Sequence, residues 1–163
     1  MHKADRLVYL DSNVIIAFLG QEPERYATIV DFFEETIASK GATQILTSVI
    51  ALAEVSFLTE ERDPKSFQPD TARIIEDFWR DESLLSIVEL NQEIAIAAQR
   101  VQRLARSEAR KPMKPMDALH LATAKWVGAH EFFTYNLKDF QKFDTWAQLK
   151  VLEPYVNQPR LGV

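Results

Sequence analysis

The sequence contains no cysteine. Disulfides and thiolate metal centres are therefore excluded. Glycine occurs only four times, so a Gly-rich phosphate loop is excluded as well. No apolar run is long enough to cross a membrane. The N-terminal stretch "MHKADRLVYLD" lacks the apolar segment and small-residue cleavage site of a signal peptide. These features point to a cytoplasmic protein with no membrane partner. Only three histidines are present, and no Ser-His-Asp arrangement stands out. Positive charge is outnumbered: 19 Lys and Arg stand against 24 Asp and Glu, for a net charge of -5. That balance argues against coating nucleic acid by bulk charge. It leaves room for an enzyme with a local basic patch.

What is present is a chain of 163 residues, 47% of them hydrophobic. This size and composition suit one folded domain over residues 1–163, with a core from about residue 7 to 154. "RLVYL", "TQIL", "LLSIVEL", "EFFTY" and "LKVLEP" read as strands. Between them lie helical patterns: "SNVIIAFLG", "EPERYATIVDFFEETIASKG", "TSVIALAEVSFLTEE" with Thr47 or Ser48 as its cap, "TARIIEDFWRDE", "QEIAIAAQRVQRLARSEAR" capped by Asn91, and "MDALHLATAKWVGA". The alternation predicts an α/β fold: an α/β/α sandwich whose central parallel sheet has four to five strands. Consecutive apolar residues in several strands fit a sheet covered on both faces. The helical segments between the second and third strands form a candidate protruding subdomain or partner surface. Ile75, Phe78 and Trp79 are expected to pack its last helix into the core, with any exposed fraction marking a partner groove.

Four acids sit in apolar company. Asp11 follows the first strand, where a parallel sheet places its sites. It is also a good helix cap. Glu54 is the only charge in "SVIALAEVSFL". It is read either as a buried carboxylate that needs a partner or as a partly exposed acid on a buried helix. Asp117 falls in the first turn of a helix entered through Pro115, where the helix dipole favours an acid. Asp139 follows the fourth strand and has an ordinary reading as a solvated loop acid, with Asn136 as the cap of a short helix. Each acid alone is unremarkable. Brought to one edge of the sheet, they could not all stay ionised without a cation. Oxygen ligands without cysteine favour Mg²⁺ or Mn²⁺. Such a centre suits phosphodiester hydrolysis.

"YLDSNVII", "TSVIALAEV", "MDALHLATA" and "FFTYNLKDF" resemble, in order, the four signature segments of the PIN-domain nucleases. The resemblance runs from about Leu7 to Pro154. Its pattern is most similar to the VapC-like subgroup, toxins of toxin–antitoxin pairs. It implies an Mg²⁺- or Mn²⁺-dependent endoribonuclease, an RNA substrate, a cognate antitoxin and a homodimer. It also implies that Asp11, Glu54 and Asp117 hold the metal, with Asp139 completing the catalytic cluster. Ser12, Asn13, Thr134 and Asn136 would orient the acids or the phosphate. One departure is visible: many relatives carry an Asp at the position of Asn136, whereas here the acid arrives at Asp139. Two other readings stay open, a housekeeping RNA-processing nuclease and an inactive PIN scaffold that binds RNA or protein.

The basic residues cluster locally. Residues 89–114 carry Arg100, Arg103, Arg106, Arg110, Lys111 and Lys114 against Glu89, Glu93 and Glu108. At ~100° per residue the four arginines share roughly one third of the helix circumference. They form a candidate RNA track leading to Asp117, or simply a solvated helix face. His120, one turn after Asp117, reads as a core histidine rather than a ligand or base.

Overall fold

The computed structural model describes residues 4–108 and 111–157. Five parallel strands form one sheet: β1 (Arg6–Leu10), β2 (Thr43–Ser48), β3 (Ser86–Val88), β4 (Glu131–Phe133) and β5 (Lys150–Leu152). Their spatial order is β3-β2-β1-β4-β5. The chain builds outward from β1 to β3, then returns to the other side of β1 for β4 and β5. The central register pairs Val8 with both Ile45 and Glu131. The helices are α1 (Ser12–Leu19), α2 (Tyr26–Ala38), α3 (Ile50–Glu54), α4 (Pro69–Arg80), α5 (Gln92–Glu108), α6 (Pro115–Trp126), α7 (Leu137–Phe140) and α8 (Asp144–Ala147).

Alternation along β1 explains the two helical layers. Successive side chains of a strand point to opposite faces. Val8 and Leu10 pack with Val14, Ile15, Ile29, Phe32 and Ile75, beneath α1, α2 and α4. Tyr9 packs with Ile94, Val101, Leu121 and Phe132, beneath α5 and α6. All three β1 residues are fully buried. The sheet is thus covered on both faces, as the apolar strands predicted. Ile75 is buried, and Phe78 and Trp79 pack partly buried against the same core.

Two predicted helices are shorter than their patterns. The segment 22–41 is an α-helix only over Tyr26–Ala38. The helix expected over 47–61 shrinks to α3. Thr47 and Ser48 are not its caps: both belong to β2, and the Thr47 hydroxyl donates to the Leu10 carbonyl at 2.8 Å. Beyond α3 the chain makes single tight turns at Thr59–Glu61 and Pro64–Ser66. Buried Glu61 holds this connection by accepting from the backbone N–H groups of Leu58 and Gln68. Asn91 caps α5 as expected, accepting from the Ile94 N–H at 2.9 Å.

The parallel order has one functional consequence. Strand order reverses between β1 and β4, and a crevice opens outside their carboxyl ends. Asp11 leaves β1 and Thr134 leaves β4 at that switch point.

Candidate metal centre

Asp11 sits just past the end of β1 and is 4% exposed. It does cap α1, its Oδ1 accepting from the Ser12 N–H at 2.9 Å. Its Oδ2 accepts from Asn13 Nδ2 at 2.9 Å and from the Thr134 hydroxyl at 2.8 Å. Asn13 in turn donates to Thr134 Oγ1 at 3.0 Å and accepts from the Tyr135 N–H at 3.1 Å. The two central strands are thereby tied together through one carboxylate. A cap alone would need none of this network. Burial pushes the Asp11 carboxyl above its ordinary range, although His120 and the Thr134 hydroxyl oppose the rise.

Glu54 reaches the same place from α3, where it is the last helical residue. Its Oε2 accepts a short hydrogen bond from the Ser12 hydroxyl and lies 2.5 Å from His120 Nε2. Burial pushes Glu54 up, but the His120 and Ser12 contacts outweigh it and the net shift is downward. Asp117 projects from the first turn of α6, half-buried. Burial and the Asp11 charge push it up to about 6, with Asp139 and Glu54 adding to the rise against Lys114. No hydrogen bond to its carboxylate offsets this among the described residues.

His120 is the residue that sequence reasoning placed only in part. It is a core residue, fully buried as expected. It is also a member of the site. Nδ1 lies 2.7 Å from the Tyr9 hydroxyl, and Nε2 lies 4.0 Å from Asp11 Oδ1 as well as against Glu54. Burial pushes the imidazole down, but the Glu54 contact and the charges of Asp11, Glu54 and Asp117 reverse the sign. One ligand atom each from Asp11, Glu54 and His120 falls within 4.8 Å of the others. The spacing His120–Asp117, one helical turn apart on α6, carried this signal in the sequence.

Among the described residues Asp117 stands outside that close group, and so does Asp139. Lys111 Nζ makes a short contact with its Oδ1, and Asn136 Nδ2 donates to its Oδ2 at 2.8 Å. The Lys111 and Asn136 contacts hold the carboxyl below its ordinary value. Asn136 occupies the cap position of α7 without making a side-chain cap, because its amide is turned to Asp139. Its own N–H donates to Thr134 Oγ1 at 2.9 Å.

The basic residues separate into two neighbouring groups. Arg100, Arg103 and Arg106 line a cavity of about 660 Å³ along α5. Lys111 and Lys114 line a second cavity, of about 240 Å³, with Asp117 and Asp139. Pro112 and Met113 border both, so the two are contiguous. Arg110, the remaining member of the expected stripe, lies outside the described residues.

The donor set fits a hard divalent cation. Two carboxylates and an imidazole, from Asp11, Glu54 and His120, meet at one place, and Asp117 next to them has its carboxyl raised by burial first and by its acidic neighbours second. Oxygen ligands of this kind select Mg²⁺ or Mn²⁺ over softer ions.

The family model for the PIN domain matches residues 8–145. The chain belongs to the PIN-domain family. Among curated protein sequences, none matches this one. Solved structures share its fold. A DNA-bound VapBC from Salmonella typhimurium matches with a TM-score of 0.65 at 19% identity, covering 91% of this chain and 98% of the other. VapBC2 from Rickettsia felis, bound to a DNA fragment from its promoter, matches with a TM-score of 0.61 at 18% identity, covering 90% and 98%. Mycobacterium tuberculosis VapC20, described as a toxin that cleaves the sarcin-ricin loop, matches with a TM-score of 0.56 at 16% identity, covering 80% and 90%.

Proposed function

We propose that this PIN-domain protein is a divalent-metal-dependent endoribonuclease, in which Asp11, Glu54 and Asp117 hold Mg²⁺ or Mn²⁺. The observation that carries the reading is the meeting of Asp11, Glu54 and His120 at the carboxyl end of β1, one ligand atom of each lying within 4.8 Å of the others. Asp117 stands half-buried beside them, its carboxyl raised to about 6 by burial, with the charges of Asp11, Asp139 and Glu54 adding to the rise. A bound divalent ion supplies Lewis acidity toward water and toward the phosphodiester, and offsets charge that develops on the phosphate.

The chain's own groups provide rigidity and placement. Asp11 is clamped by Ser12, Asn13 and Thr134, so its oxygens cannot rotate freely. Glu54 is clamped by Ser12 and His120. Preorganised groups of this kind cost little reorganisation during reaction. Asp139 stands beside Asp117, held by Lys111 and Asn136, and acts on the cluster through its charge. Arg100, Arg103, Arg106, Lys111 and Lys114 supply positive potential for the RNA backbone, which the acidic chain as a whole does not.

The VapBC structures that share the fold support a finer reading, a toxin blocked by a cognate antitoxin; assembly as a homodimer belongs to the same proposal and is tested separately. Phe57, Phe67 and Ile74 are exposed on the excursion between β2 and β3, a surface suited to an apolar partner segment.

The test is cleavage of single-stranded RNA with Mg²⁺ and with Mn²⁺, beside Asp11→Asn and a chelator. Cleavage lost in both controls supports the reading. Folded protein that neither cuts RNA nor binds Mn²⁺ overturns it in favour of a binding scaffold. Co-purification with the product of an adjacent gene for a small DNA-binding protein, and sedimentation of the pure chain, test the antitoxin and the dimer.

A further inference from the structure

The 240 Å³ cavity beside Asp117 and Asp139 holds a feature that the acidic cluster does not explain. Three lysines line it: Lys111, Lys114 and Lys142. They come from separate places, the loop before α6 and the tight turn Gln141–Phe143 after α7. Only Lys111 is paired among the described residues, and its partner is Asp139. Lys142 instead lies over the Phe143 ring, 5.4 Å from its centroid. Lys114 and Lys142 form no salt bridge among the described residues, though each stands on a cavity wall that also carries two acids.

Three lysines against two carboxylates leave an excess of positive charge on this cavity wall, which suits an oxyanion with several acceptor oxygens. The Lys111–Asp139 pair is the weak point of the arrangement. The Lys111 side chain is 60% exposed, and exposed ion pairs are weakly held. An incoming phosphate offers Lys111 an equal charge with better company. Asp139 keeps its hydrogen bond from Asn136, so it stays in place when Lys111 leaves.

We propose that this cavity is a phosphate subsite for a phosphodiester flanking the cut, and that Lys111 exchanges Asp139 for that phosphate. The proposal rests on the nuclease reading above and adds a second contact to it. RNA arrival and the unpairing of Asp139, which keeps its position, become one event. The protein's negative charge near the centre is then fully expressed only when a strand is seated.

The experiment uses the full chain and RNAs in which a single phosphate flanking the cut is a neutral methylphosphonate. One such replacement is expected to raise KM about tenfold in the wild type. Lys142→Ala is expected to raise KM for native RNA and to lose less than the wild type does when the methylphosphonate RNA replaces native RNA. Losses that simply multiply, or unchanged KM in Lys142→Ala and Lys114→Ala while cleavage persists, overturn the subsite. Lys111→Ala tests the exchange. RNA KM rises, while Mn²⁺ binding to the RNA-free protein tightens because Asp139 loses its competing cation. Equal or weaker Mn²⁺ binding overturns the exchange.

If no RNA is cut at all, the nuclease reading fails separately. The subsite is then read from lysine ammonium resonances of the metal-free protein titrated with inorganic phosphate and with a short RNA. Shifts at Lys111, Lys114 and Lys142 at lower RNA than phosphate concentrations support it. Absent shifts, or a preference for free phosphate, overturn it.

Discussion

His120 Nε2 lies 2.5 Å from Glu54 Oε2, while the opposite ring nitrogen lies 2.7 Å from the Tyr9 hydroxyl. The imidazole therefore links the buried face of β1 to the acidic crevice. Its pKa is raised by Glu54, Asp11 and Asp117 against the effect of burial. In the metal-free protein that shift favours the protonated ring, whose charge offsets part of the carboxylates'.

On the proposed reading, a divalent ion entering the crevice would take over that balance. Metal ligands must be deprotonated, so binding is coupled to proton release. Mn²⁺ binding is expected to release about one proton near pH 6 and less near pH 8. His120→Gln keeps a polar side chain without a titrating ring, and it should reduce the release. Calorimetry in two buffers of different ionisation enthalpy measures it. Proton uptake, or release unaffected by His120→Gln, contradicts the coupling.

Stability of the metal-free protein should fall as pH rises. Asp117 is pushed up to about 6, whereas an unfolded aspartate titrates near 3.8. Between those values the folded chain holds a proton that the unfolded chain has lost, so stability decreases across that window as pH increases. His120, raised above 6.5, acts in the same direction: its contribution is present below 6.5 and disappears as pH passes its folded value. Asp139 is shifted downward, and its contribution is lost only below the ordinary aspartate value, outside this range. The Tm of metal-free protein is expected to decline from about pH 5 to about pH 8. Asp117→Asn should flatten the part below about pH 6, and saturating Mn²⁺ should reverse the slope. A metal-free Tm that climbs over this range would refute the assignment.

The α/β/α architecture was legible because helices and strands alternate and each carries its own period. "RLVYL" reads as a strand without any knowledge of its neighbours. Asp11 was legible for a related reason, a charge at the carboxyl end of an apolar strand. The limits were set by contacts between distant residues. Thr47 and Ser48 look like helix caps, but pairing with Ile87 and Val88 of β3 draws them into the sheet. His120 looks like a core residue because its neighbours are apolar. Its second role depends on Glu54, 66 positions away. Asp139 looks equivalent to the other acids until Lys111, 28 positions earlier, is brought beside it.

At the opposite end of the sheet, Arg6 Nε donates to Glu131 Oε2 at 2.7 Å, with Tyr155 also donating to Glu131. The guanidinium lies near the rings of Phe32, Phe133 and Tyr155, 5.0 to 5.8 Å from their centroids. Its two terminal nitrogens are buried without hydrogen-bond partners among the described residues. The aromatic faces and one carboxylate therefore carry the compensation for a largely desolvated cation. Glu131→Ala removes that carboxylate, and denaturant unfolding should show a loss of about 3 kcal/mol or more. Replacing both residues, Arg6→Met with Glu131→Leu, should recover most of it. A double variant as unstable as the single one would mean that the ion pair itself is strongly favourable.

Thr134 offers the sharpest separation of positioning from ligation. Its hydroxyl donates to Asp11 Oδ2 and accepts from Asn13 Nδ2 and the Asn136 N–H. One donor and two acceptor sites are thus all used. Thr134→Val preserves shape and removes the whole set, whereas Thr134→Ser keeps the hydroxyl. Neighbours that orient metal ligands typically account for about 10–100-fold in affinity or activity. Thr134→Val should weaken Mn²⁺ binding and lower kcat within that range, with little change in RNA KM, because the hydroxyl acts on Asp11 and not on the strand. Thr134→Ser should restore most of both. A Val variant that loses only stability, with kcat and Mn²⁺ affinity intact in the folded fraction, would show that Asp11 is held adequately by Ser12 and Asn13 alone.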